Sequence, residues 1–203
     1  MIRDRETLNQ LLALIDRFVT ERLIPRESEL AESGSLPEDI LDEMKAMGLF
    51  GLTIPEEYGG LGLTMEEEIE VAISLGKTSP AFRSVMGTNN GIGSAAIVFN
   101  GTEEQKKRYL PKYASGEWIS CFCLTEPEAG SDAASLKTSA VRDGDHYVIN
   151  GTKRYITNAK VADTFNVMAR TNPSIKGARG ISCLLYTSDA ADEGLGVDLG
   201  GRR

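Results

Sequence analysis

The chain has 203 residues, 41% hydrophobic and 26% charged, a balance that supports a packed core and argues against global disorder. A net charge of −8 argues against a nucleic-acid groove or an anionic membrane as the main partner. Three cysteines and a single histidine, His146, supply neither a disulfide framework nor a conventional metal site. No apolar run approaches the roughly 18 residues needed to span a bilayer. The charged start, Met1-Ile2-Arg3-Asp4-Arg5-Glu6, has no apolar core of a secretory signal. A soluble, cytoplasmic protein is expected.

The first half reads as helices. Leu8, Leu11, Leu12, Ile15, Phe18, Val19 and Leu23 recur every three or four residues and make one apolar stripe, with Pro25 marking a kink or an end. A second helix is predicted from a cap near Ser35, with Pro37 in its first turn, Ile40, Leu41, Met44 and Met47 on its buried face, and Gly48 stopping it. Gly51 to Gly62 is loop. Thr64 with Glu67 resembles a capping box and opens a helix to Lys77. Thr102 with Gln105 resembles another, opening a helix that ends near Ala114. Between them, Pro80 starts a helix predicted to reach Asn100 through the small residues Gly87, Gly91, Gly93, Ser94, Ala95 and Ala96.

The period changes at Gly116. Trp118 to Leu124, Ser139 to Arg142, Tyr147 to Ile149, Arg154 to Thr157, Phe165 to Ala169 and Ile181-Ser182 read as strands. Asp143-Gly144 and Asn150-Gly151 are hairpin-type turn signals. The expected fold class is α+β: an all-α N-terminal domain (1–116) followed by a truncated antiparallel β-barrel or sheet domain (117–182). Residues 183–203 resemble a translated transposase-type sequencing adapter. They are expected to be a non-native tail, so that the natural sequence continues past Ser182.

The chemistry concentrates in Cys123-Leu124-Thr125-Glu126-Pro127-Glu128-Ala129-Gly130-Ser131-Asp132. A strand ends at Thr125 and a loop follows. Gly130 permits close approach by a ligand, Thr125 and Ser131 offer hydroxyls, and free backbone N–H groups suit a planar polar heterocycle or a phosphate. Glu126 could act as a base, but its expected job is to accept N–H groups within the loop. Cys121 and Cys123 share one strand face and read as buried small hydrophobes. His146 reads as a solvated turn neighbour.

Residues 123–132 resemble the first signature of the acyl-CoA dehydrogenase family, and Tyr155-Ile156-Thr157 resembles its second flavin contact, usually Trp-Ile-Thr. Ile54 to Gly62, Glu103 to Leu110 and Asn150-Gly151-Thr152-Lys153 match the family in the same order. The resemblance implies a helical domain, a β-domain and a C-terminal helical bundle, the last absent here. It also implies noncovalent FAD, an acyl-CoA substrate, an electron-transfer flavoprotein as electron acceptor, and a homo-oligomer when full length. The reaction implied is α,β-dehydrogenation: α-proton abstraction with hydride transfer from the β-carbon to FAD. Carried over, Phe122, Cys123, Leu124, Thr125, Gly130, Ser131, Tyr155, Ile156 and Thr157 would line the flavin. Ser131 would also touch the thioester substrate or the cofactor's phosphates, and Tyr155 would stack on the ring. The family's base is a glutamate in the missing bundle, so no residue is assigned a catalytic role and this chain alone is expected to be inactive. The small-residue stretch Gly87 to Ala96 either packs helices closely or walls the acyl pocket. An acyl-CoA oxidase or flavin monooxygenase on the same scaffold, and a cofactor-free helical interaction module, remain alternatives.

Overall fold

A computed structural model describes residues 5–187. The chain divides into two compact units, Met1–Ile119 and Ser120–Arg203.

The first unit is helical: α1 (Arg5–Phe18), α2 (Glu27–Ser33), α3 (Glu38–Ala46), α4 (Met65–Leu75), α5 (Pro80–Asn90), α6 (Ala95–Asn100) and α7 (Glu103–Ser115). The stripe read from Leu8 to Leu23 continues beyond α1 as a π-helical turn (Val19–Leu23), and Pro25 sits in the 3-10 turn Ile24–Arg26 that leads into α2. The apolar side chains close into one core that includes Ile15, Leu23, Ile40, Met44, Phe50 and Phe82. Both capping boxes form. Thr64 and Thr102 accept from the backbone N–H of Glu67 and Gln105, whose side chains return to the cap N–H groups. Two expectations change. Pro37, rather than Ser35, occupies the N-cap of α3, because its extended ψ of 137° turns the chain into the helix without a side-chain cap. The helix expected from Pro80 to Asn100 breaks at Gly91 (φ −124°, ψ −109°), which separates α5 from α6. Asn89 and Asn90 at the break are buried. Asn89 donates to the carbonyls of Tyr113 and Trp118, and Asn90 to those of Leu49 and Met86. Among the described residues no helix is long and apolar enough to cross a membrane.

The second unit is a five-stranded sheet of β1 (Ser120–Cys123), β2 (Ser139–Asp143), β3 (His146–Asn150), β4 (Thr164–Arg170) and β5 (Ile181–Thr187). The β2–β3 hairpin and the β4–β5 pair are antiparallel. The purely antiparallel expectation is corrected, because β4 runs parallel to β1 and, at Ser139–Arg170, to β2. Short turn signals identify only hairpin partners. The β1–β4 pairing is made by a crossover of some forty residues, which is long enough for parallel strands. Arg154 to Thr157 is not a strand, because Tyr155 takes a left-handed backbone (φ 59°) that a ladder does not accommodate. Cys183–Thr187, which the sequence reading assigned to a tail, belong to β5 and pair along β4 from Met168 to Thr164. The rest of that tail reading, residues 188–203, lies outside the described residues.

Candidate functional site

The site is built where β1 ends. Leu124 and Thr125 leave the strand half-buried, and Glu126 to Ala129 form a tight turn closed by paired backbone bonds (Glu126 N to Ala129 O, 3.0 Å; Ala129 N to Glu126 O, 3.3 Å). Pro127 and Glu128 sit exposed at its tip. Glu128 forms an exposed ion pair with Lys137, which ties the turn to the segment entering β2.

Glu126 turns inward and is only 6% exposed. Its carboxylate accepts the backbone N–H of Lys137 (2.6 Å) and Thr138 (2.9 Å), the Thr138 hydroxyl (2.5 Å) and the Lys153 ammonium (2.9 Å). Burial pushes the carboxyl pKa up, but the Lys137 N–H, the Lys153 ammonium and the Thr138 donors outweigh it and bring it down to about 2. A carboxylate whose oxygens are already occupied by four donors is a poor proton acceptor. Glu126 therefore accepts N–H groups, as expected, but from Lys137, Thr138 and Lys153 beyond the loop, and it ties the loop to both segments.

Lys153 Nζ also donates to Leu124 O (3.0 Å), and Arg154 N donates to Thr125 O (2.8 Å). These bonds bring the two resembling blocks together: the exit of β1 lies against residues 153–154, with Tyr155 immediately following. Gly151 makes the approach possible. A Cβ there would stand 2.3 Å from Thr138 Oγ1, the hydroxyl that holds Glu126.

The nine sequence-derived site residues divide into three groups. Phe122, Cys123, Leu124 and Thr125 follow β1 to its end, and Tyr155, Ile156 and Thr157 join them through the Arg154 bond. Tyr155 projects outward, 78% exposed, with the Arg154 guanidinium 4.6 Å from its ring centroid. Ile156 packs inward on the small core of Cys121, Cys123, Ala162 and Phe165. Gly130 and Ser131 lie on the exposed loop past the turn, where a Cβ at Gly130 would meet nothing within 4 Å. The Cys121 and Cys123 sulfurs are 3.6 Å apart and buried. The hydrogen bond to Cys123, aided by burial, pushes the Cys121 thiol up, so it stays protonated. His146 is exposed, with Nδ1 2.9 Å from Asp145. No group of three or more His, Cys, Asp or Glu is arranged to hold a metal among the described residues.

The sequence reading gave Lys153, Thr138 and Lys137 no part in this site. Lys153 was one residue of a matching block, and nothing local shows that it reaches back to Glu126. The only available signal was the one buried acid of the loop, which required a cation from somewhere.

The site suits a flat, polar, partly apolar group. The Thr125, Ser131 and Thr157 hydroxyls have no hydrogen-bond partner among the described residues, the Tyr155 ring is largely exposed beside the Arg154 guanidinium, and Gly130 borders open space. These features fit an isoalloxazine with hydrogen-bonding edges.

Comparison with known proteins identifies the family. The acyl-CoA dehydrogenase N-terminal domain model matches residues 5–117, and the middle domain model matches residues 121–201. The very long-chain specific acyl-CoA dehydrogenase of Macaca fascicularis is 38% identical over 193 residues, covering 94% of this chain and 29% of the relative. The isobutyryl-CoA dehydrogenase of Dictyostelium discoideum is 37% identical over 187 residues, covering 91% of this chain and 44% of the relative. A solved structure of an acyl-CoA dehydrogenase complexed with FAD from Bacillus anthracis superimposes with a TM-score of 0.80 at 34% identity, covering 92% of this chain and 32% of that one. The chain thus spans less than half the length of these relatives. With both domain models matched in order, the chain belongs to the acyl-CoA dehydrogenase family.

Proposed function

We propose that this chain contributes the helical and middle domains of an FAD-dependent acyl-CoA dehydrogenase that oxidises an acyl-CoA thioester between its α and β carbons. The observation that carries the reading is the Arg154–Thr125 backbone bond, which sets the unpartnered Thr125 hydroxyl beside the segment presenting the exposed Tyr155 ring.

FAD, when bound, would supply the acceptor for the hydride leaving the β-carbon. Thr125 and Thr157 would hydrogen-bond its polar edges, Tyr155 would cover one face, and Phe122 to Leu124 with Ile156 would supply the apolar wall. Ser131, exposed on its loop, would touch the thioester or a phosphate. The base that takes the α-proton is assigned to no residue here, since Glu126 is saturated with donors and ionised down to about pH 2. The same reading makes an electron-transfer flavoprotein the electron acceptor and the complete enzyme a homo-oligomer. Three free cysteines support a reducing, cytoplasmic setting.

The complete enzyme, purified, should show flavin absorbance that bleaches on anaerobic addition of acyl-CoA. It should reoxidise faster with an electron-transfer flavoprotein than with air, and the reverse order would favour an oxidase. The 203-residue chain alone should show no turnover. A complete protein that is colourless and takes up no added FAD overturns the proposal.

A further inference from the structure

We infer that Glu126 and Lys153 are a positioning pair that sets the Thr125 hydroxyl and the Tyr155 ring in register for the cofactor. This rests on the FAD reading above. The two side chains are 5% and 12% exposed. They connect segments 27 residues apart in sequence, and each is adjacent to, or two positions from, a proposed flavin contact. Lys153 spans the gap by bonding both Leu124 O and the Glu126 carboxylate, while Glu126 anchors to the backbone entering β2. Thr125 and Tyr155 take no part in this network through their side chains. Their relative placement therefore follows from the pair and from the Arg154–Thr125 backbone bond next to it.

The chemistry requires an ionised carboxylate at position 126. Its partners are two backbone N–H groups, an ammonium and a hydroxyl that already points at it. A carboxylate accepts at both oxygens, whereas the amide of Glu126→Gln would turn an NH2 toward donors. One N–H or the Lys153 ammonium would lose its acceptor, and the loop would move to relieve it.

The test uses Glu126→Gln, Lys153→Met and the charge-keeping Lys153→Arg, with circular dichroism confirming that each variant folds. In the 203-residue chain, hydrogen exchange at the Arg154 amide should speed up roughly tenfold or more in Glu126→Gln and Lys153→Met, as expected for a buried charged group losing a partner. Amides of the helical unit should be unchanged. In the complete flavin-loaded enzyme, the same two variants should bind FAD roughly tenfold more weakly and shift its visible spectrum, while Lys153→Arg restores both. A general loss of stability would not produce a spectral shift that Lys153→Arg reverses. If the wild-type enzyme takes no flavin, the FAD reading fails and the pair's role fails with it. If the wild type takes flavin while Glu126→Gln and Lys153→Met keep its affinity and spectrum, the pair's role alone is overturned. Unchanged Arg154 exchange in both variants also overturns it.

Discussion

The helical and sheet units are held by different forces. In the helical unit, Ile15, Leu23, Ile40, Met44, Phe50 and Phe82 are fully buried against one another, and the hydrophobic effect does most of the work. In the sheet unit the buried apolar side chains are fewer and smaller: Cys121, Cys123, Ala162 and Phe165 form one cluster, and Leu136, Ala140 and Ala169 are also buried. Its interior also buries Glu126, Thr138, Ser120, Thr164 and Asn166, a larger polar share than in the helical unit, where Ser74, Thr78, Thr88, Asn89, Asn90 and Ser94 lie among many more apolar side chains. An apolar core tolerates modest displacement of its members. A buried carboxylate with directional donors does not, because a partner lost in low dielectric costs its full desolvation. The sheet unit therefore leans more on directional bonds than the helical unit does.

Substitutions can break or sharpen this contrast. The largest effect is expected in the helical core. Phe82→Ala should destabilise that unit by about 3–5 kcal/mol in denaturant unfolding, with the sheet amides following only where the units unfold together. A cost under about 1 kcal/mol would mean that the core is looser than its burial indicates. Glu126→Ala should cost about 3 kcal/mol, because it strands the Lys153 ammonium and two backbone N–H groups, and hydrogen exchange should place the loss at Lys137 and Thr138.

Acid should reproduce part of that loss without mutation. The Glu126 carboxyl is depressed from its ordinary 4.5 to about 2, so its contribution is fully present above about pH 4.5 and is lost as pH falls toward about 2. Amides of Lys137 and Thr138 should lose protection across that window in the wild type and show no such pH dependence in Glu126→Ala. Removing a cap is smaller still. Thr64→Ala or Thr102→Ala should each cost about 1 kcal/mol, seen as a lowered unfolding midpoint. Smallest for stability is Tyr155→Ala, within about 0.5 kcal/mol because the ring is exposed, yet it should sharply weaken flavin uptake by the complete enzyme. A large stability loss there would place Tyr155 among the structural residues.

Much was legible from sequence because the signals are local. The capping boxes at Thr64 and Thr102 need only a hydroxyl and an acid or amide three residues on, and the stripe from Leu8 to Leu23 needs only helical spacing. The blocks proposed to line the flavin were named by resemblance in the motif itself. The break at Gly91 was missed because small residues allow a helix to continue or to stop, and the choice fell to Asn89 and Asn90 reaching carbonyls on α7, at Trp118 and at Leu49. The strand expected at Arg154 to Thr157 does not form, because Tyr155 takes a left-handed backbone and Lys153 and Arg154 are drawn to the end of β1.

The amino-acid order alone determined where helices give way to strands and which loop carries the hydroxyls, since each depends on neighbours within a few positions. Only the tertiary structure decided that β4 runs parallel to β1, that Lys137, Thr138 and Lys153 converge on Glu126, and that Tyr155 stands exposed beside the end of β1. Those are contacts between residues well separated in sequence, and their energies come from burial and directional bonding that exist only once the chain has closed on itself.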